Sequence, residues 1–104
     1  MPKYVVEGRV PDAGRLSASE LQSMSRRSVR VLQKMGPQIQ WVSSIVADDT
    51  IYCTYIADSE ALVRDHARAA GFPLDRVSVI HAIIDPTTAE DVLTAKGVQR
   101  GSDA

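Results

Sequence analysis

The sequence predicts an α+β domain in which two helices cover one face of a four-stranded antiparallel sheet. Three observations carry that prediction. Four β-rich runs, at 3–10, 39–47, 50–57 and 75–85, are separated by two segments with helical spacing. The first helix opens on a capping box and closes at a Gly-Pro pair. The two middle strands are joined by only a short acidic turn. The resulting order, β-α-β-β-α-β, is the ferredoxin-like plait.

Each element has a local reason. "KYVVEGRV" is rich in β-formers and reads as strand one. "PDAGRL" follows as a loop. In "SASE" the Ser17 hydroxyl and the Glu20 carboxylate satisfy free N–H groups at a helix start. Behind it Leu21, Met24, Ser28, Val31, Leu32 and Met35 fall on one stripe. Gly36-Pro37 ends this helix, since proline disfavours the α conformation before it and has no N–H to donate. "IQWVSSIVA" and "TIYCTYIA", joined by Asp48-Asp49, form a hairpin. Asp58 or Ser59 caps the second helix, which runs to about Ala70 and stops at Gly71. "DRVSVIHAIID" is strand four, closed by Pro86. A second capping box, Thr87 to Glu90, starts a short helix over about 87–96, and 97–104 is a tail. The whole is one domain, 1–96.

Strands two and four read as apolar on both faces. Ile39, Trp41 and Ile45 alternate with Val42 and Val46, and Val77, Val79 and Ile83 with Ile80, Ala82 and Ile84. Two helices cover only one side, and a large bare apolar face marks an association surface. Covering several such side chains at ~25 cal/mol per Å² favours pairing by many kcal/mol before association costs. A homodimer packed sheet to sheet, closing a dimeric α/β barrel, is therefore expected. The other way to cover that face is to fold residues 86–96 back over it.

Charge excludes some functions. The 104 residues hold 12 basic and 13 acidic side chains, for a net charge of −1. Only "RRSVR" is locally basic, which argues against a nucleic-acid surface. Cys53 is the one cysteine, so no internal disulfide forms and a reducing compartment suits the chain. No segment reads as a membrane span or signal peptide, so a soluble, cytoplasmic protein is the expectation.

Few residues are candidates for chemistry. His66 lies mid-helix, with Leu62 and Ala69 at helical spacing on a face turned toward the sheet. Its imidazole either donates to a backbone carbonyl in a packed core or serves as a ligand, and the small neighbours Ala67, Ala69 and Ala70 leave room beside it. Glu7 lies inside strand one, where a buried carboxylate must be paired, hydrogen-bonded or metal-bound. His81, in strand four, belongs to one apolar surface or the other. Trp41, Tyr52, Cys53 and Tyr55 on the hairpin are core, interface or pocket material, with tyrosine hydroxyls as polar handles. HExxH, CxxC, GxGxxG, GxxxxGK[ST] and GxSxG are all missing. Any metal site must then be assembled from scattered donors, and nitrogen and oxygen donors suit nickel, zinc, copper or iron.

"KYVVE", "MGPQIQWVSSIV", "DDTIYCTYIA", "DHARAAGFP" and "IDPTTAE", in that order, resemble a bacterial family of unknown function described as nickel-binding-protein-like. The resemblance spans roughly residues 2–90. It implies a ferredoxin-like, dimeric protein that holds nickel, and directs attention to Glu7, Trp41, Tyr52, Cys53 and His66. Three functions remain in view. One is a dimeric binding protein that holds nickel or another divalent metal, or a small ligand, through His66 and Glu7. Another is a small dimeric α/β-barrel enzyme with Glu7, His66 or His81 as general base. The third is a structural dimer without a site.

Overall fold

Pairing of the β-rich runs builds the sheet. The computed structural model describes residues 1–90. Strands β1 (Lys3–Arg9), β2 (Ile39–Val46), β3 (Thr50–Ala57) and β4 (Arg76–Ile80) form one sheet in the order β2-β3-β1-β4. Every neighbouring pair is antiparallel. Helices α1 (Ala18–Met35) and α2 (Glu60–Ala70) make the two crossovers and lie against one face, which is the ferredoxin-like plait.

The helix ends follow the sequence signals. The Ser17 hydroxyl accepts from the Glu20 N–H at 3.1 Å and Glu20 accepts from the Ser17 N–H at 2.9 Å. Together these satisfy two N–H groups that the first turn leaves free, and they hold the Glu20 carboxyl below its usual range. Ser59 rather than Asp58 caps α2, accepting from the Leu62 N–H. Gly71 ends that helix in the left-handed region, at φ 74°, where a side chain would be strained.

The core lies between the helices and one face of the sheet. Along β1, Tyr4, Val6 and Gly8 turn inward, while Lys3, Val5, Glu7 and Arg9 turn to the open side. Ile51, Cys53, Tyr55 and Ala57 of β3 complete the inner face, with Val63 of α2 packed on it. On α1 the expected stripe is present, but each of its members is only half-buried. In α2 the buried face is Val63, His66, Ala67 and Ala70, so Leu62 and Ala69 flank it rather than define it.

Several expectations change. The β2–β3 register steps between Trp41 and Ser43. This bulge leaves one extra residue in β2 and shifts its side-chain phase. Trp41 stays on the inner side with Ile39, opposite Tyr55, but Ile45 moves to the open side opposite Tyr52 and Val46 turns inward opposite Ile51. Strand four is shorter than 75–85, because β1 begins at Lys3, which pairs with Ile80. Past that point β1 offers no partner, so residues 81–85 leave the sheet, exposing Ile83 and Ile84. The loop after β1 contains a 3-10 turn, Ala13–Arg15, tied to the β2–β3 turn by the Gly14 N–H donating to the Asp48 carbonyl. The second capping box is set by Asp85 and Thr88, not Thr87 and Glu90, since Pro86 suits the first position of a turn and Asp85 then sits at its cap. It opens a 3-10 turn, Pro86–Ala89. The rest of the expected helix to 96, and the tail 97–104, lie outside the described residues.

Gly8 supplies a test of the packing. A Cβ added there would press on the Pro73 carbonyl and come within 2.6 Å of the Phe72 ring. Gly8→Ala should therefore destabilise the fold by about 1–3 kcal/mol, as overpacking does. Urea denaturation checks this; an unchanged midpoint would contradict the packing described here.

Candidate functional site

The polar groups of the core concentrate where α1, α2 and β3 meet. Leaving β3, the chain turns at Ser59 and brings His66 over Tyr55, one and a half turns into α2. His66 is 1% exposed. Its Nε2–H donates to the Ser28 carbonyl of α1 at 3.2 Å, since a carbonyl can only accept. Nδ1 is then the acceptor, and the Tyr55 hydroxyl donates to it at 2.9 Å. The rings meet edge to face, 5.3 Å between centroids. Both nitrogens of a neutral imidazole are thus used, and no buried side-chain nitrogen or oxygen among the described residues lacks a partner. Burial is the main reason that the imidazole pKa lies below its ordinary value, with the Ser28 carbonyl opposing that shift. Burial, and then the neighbouring Cys53, push the Tyr55 phenol up.

A second polar line runs beside it. The Trp41 indole N–H donates to the Ser44 hydroxyl at 2.9 Å, and that hydroxyl donates to Cys53 Sγ at 2.9 Å. Burial raises the Cys53 thiol pKa, with the Ser44 hydrogen bond acting the other way. A raised thiol pKa means less thiolate, the form that attacks electrophiles and binds metals. Trp41, Ser44, Cys53 and Tyr55 line a cavity of about 70 Å³ under the half-buried face of α1, together with Met24 and Phe72.

The structure therefore brings together three of the expected pocket residues, Trp41, Cys53 and Tyr55, with His66 beside them. It does not bring Glu7 to His66. Glu7 is on the opposite face of the sheet, because residues of one strand alternate sides and its neighbours Val6 and Gly8 point inward. Tyr52 is on that open face too, directly across from Glu7, with Arg76 on Glu7's other flank. His81 is exposed just beyond β4, outside the cavity. Among the described residues no group of three His, Cys, Asp or Glu side chains is placed to hold a metal ion. Sequence reasoning missed the Ser28 carbonyl and the Ser44 hydroxyl. Ser28 lies on the helical stripe of α1, a usable signal, but the partner of its carbonyl depends on how the two helices cross.

The model of the SCO4226-like family, described as nickel responsive protein SCO4226-like, matches residues 4–80. This chain belongs to that family. Its fold is also that of SCO4226 from Streptomyces coelicolor A3(2), whose crystal structure aligns at a TM-score of 0.66 and 15% identity. The alignment covers 79% of this chain and 99% of the other. No curated protein matches the sequence. Family membership accounts for the core of the sheet and both helices, up to the last residue of β4. No helix among the described residues is long and apolar enough to cross a membrane.

Two measurements test the His66 bridge. Tyr55→Phe removes the donor to Nδ1 and leaves a buried acceptor unpaired, so stability should fall by about 1–3 kcal/mol. The pH dependence has a definite sign. A base whose folded pKa lies below its unfolded value of 6.5 favours the neutral form when folded. Its contribution is complete above pH 6.5 and is lost as pH falls through the depressed folded value. Urea midpoints should drop more steeply from pH 7 to pH 5 in the parent than in His66→Gln; parallel profiles would rule this out.

Proposed function

We propose that this chain is a small nickel-responsive binding protein that works as a homodimer, with the open faces of two sheets packed together and a divalent metal ion, nickel first, held by donors from both copies. The single observation that carries the reading is the character of the open sheet face, taken with membership of a nickel-responsive family. Val5, Ile56, Ile80, Tyr52 and Ile45 are on it, the last two 37% and 67% exposed, and Glu7 stands among them on a central strand. An open sheet face that leaves Tyr52 and Ile45 exposed among charged and hydroxyl side chains, with a carboxylate near its middle, offers a second copy both apolar contact and polar donors.

Glu7 and His81 are the donors on this reading. Within one copy they belong to opposite ends of the β1–β4 pair, because Glu7 faces Arg76 while His81 follows Ile80, the partner of Lys3. That is about five residues of chain, roughly 17 Å, too far for one ion. Two sheets related by a two-fold axis can set Glu7 of one copy near the partner's His81. His66 serves as the post that joins β3 to both helices, not as a ligand, since both ring nitrogens are occupied.

The reading as an enzyme has less support. The cavity beside His66, about 70 Å³, is well under the ~300 Å³ of a usual small-molecule site. Neither Glu7 nor His81 lines it. The reading as a dimer without a site agrees with the role of His66 and differs only in what Glu7 and His81 do.

Calorimetric titration with nickel, alongside sedimentation velocity, separates these outcomes. The parent should sediment as a dimer and give a saturable heat. Glu7→Gln and His81→Ala should each weaken binding ten-fold or more, whereas His66→Gln should lower stability and leave the affinity for nickel nearly unchanged. A single copy at high concentration, or no saturable heat, would overturn the proposal.

A further inference from the structure

A second cavity, of about 270 Å³, opens on the helix side of the molecule, where the end of β1, α1 and the α2–β4 loop converge. Its walls are unlike those of the inner cavity. Val10, Met24 and Phe72 supply an apolar floor, and Arg27 brings a positive charge to it, while Arg9 lines its rim at the end of β1, with a side chain that turns to the open side of the sheet. The ion pairs among the described residues are Arg64 with Glu60 and Arg68 with Asp65, both on the outer surface of α2. Neither cavity arginine belongs to them. The Asp75 carboxylate accepts from the backbone N–H of Arg9.

Arg27 is also held in place. Its Nη1–H donates to the Ala70 carbonyl at 3.5 Å, on the last turn of α2, where helix carbonyls carry partial negative charge. Gly71 leaves space for this. A Cβ there would already touch Nη1 at 3.4 Å, and φ of 74° favours glycine in any case. One N–H of five is used by that bond, leaving most of the fork free for an oxyanion.

From these features we propose that the cavity binds a small organic carboxylate, its anion paired with Arg27 and its apolar body laid against Val10, Met24 and Phe72. A guanidinium matches the two oxygens of a carboxylate with parallel N–H···O bonds, which a neutral polar group cannot reproduce. The volume admits a single ring or a short chain and excludes larger ligands. The site lies on the helix side, away from the open sheet face that carries Glu7, and so stands independently of nickel binding.

The test uses the full chain without added metal. Benzoate and hexanoate are titrated into ¹⁵N-labelled protein, with benzyl alcohol as the neutral counterpart of benzoate. At least one carboxylate should saturate, with amide shifts confined to Val10, Arg27, Gly71, Phe72 and their neighbours. Benzyl alcohol should bind ten-fold or more weakly. Arg27→Gln, at an exposed helix position that leaves the fold intact, should lower carboxylate affinity at least ten-fold. Three results would each overturn the proposal: no saturable shifts with either carboxylate, equal affinity for benzyl alcohol, or unchanged affinity in Arg27→Gln.

Discussion

One imidazole holds the helical layer to the sheet. His66 donates to α1 through the Ser28 carbonyl and accepts from β3 through the Tyr55 hydroxyl, while its own backbone belongs to α2. Three elements distant in sequence therefore share one buried polar group. Dispersion and apolar burial would allow these elements to slide against one another, because such forces have little direction. Two hydrogen bonds of fixed geometry do not, and in a dry interior a misplaced partner leaves a polar group unpaired. The small side chains Ala67 and Ala70, buried on the same face, let the helix approach closely enough for the ring to reach both partners.

That arrangement explains why α1 is only half-buried. The stripe on α1 is apolar enough to pack, yet it includes Ser28, with Ser25 beside it at the cavity, and Ser44 and Cys53 line the same cavity. The result is a small cavity with a polar wall rather than a filled core. Cys53, satisfied by Ser44 and with its pKa raised by burial, behaves there as a compact packing residue. On the opposite side of the sheet the chemistry is sparser and more exposed. There the central strand presents Glu7 between Tyr52 and Arg76, with Val5 and Arg9 on either side along the strand. The two sides of one sheet thus differ, one holding the fold together and the other leaving Tyr52 and Ile45 exposed.

Much of the architecture was legible from local signals. The Ser17–Glu20 box, the Gly36-Pro37 stop, the Ser59 cap and the Gly71 terminus all act within a few residues of themselves, so sequence alone placed both helices to within a residue or so. The hairpin turn was equally local. Phase and extent of strands were not. The bulge after Trp41 reverses which of Ile45 and Val46 faces the core, and no residue type there announces it. Strand four looked eleven residues long by composition, yet its length is set by its partner, which begins at Lys3.

The pairing of His66 with Glu7 failed for a related reason. Periodicity told that each lay on a definite face of its own element, but the relation between the two faces depends on which side of the sheet the helices cover and where β1 enters. By itself the sequence determined the element order, the helix ends and the inward turn of His66, because capping, glycine conformation and apolar spacing are short-range effects. Only the tertiary structure decided that Tyr55 and Ser28 would be its partners, that Glu7 would look the other way, and that Arg9 and Arg27 would share a cavity. Those relations join residues 11 to 59 positions apart, and a pattern read along the chain carries no measure of distance across it.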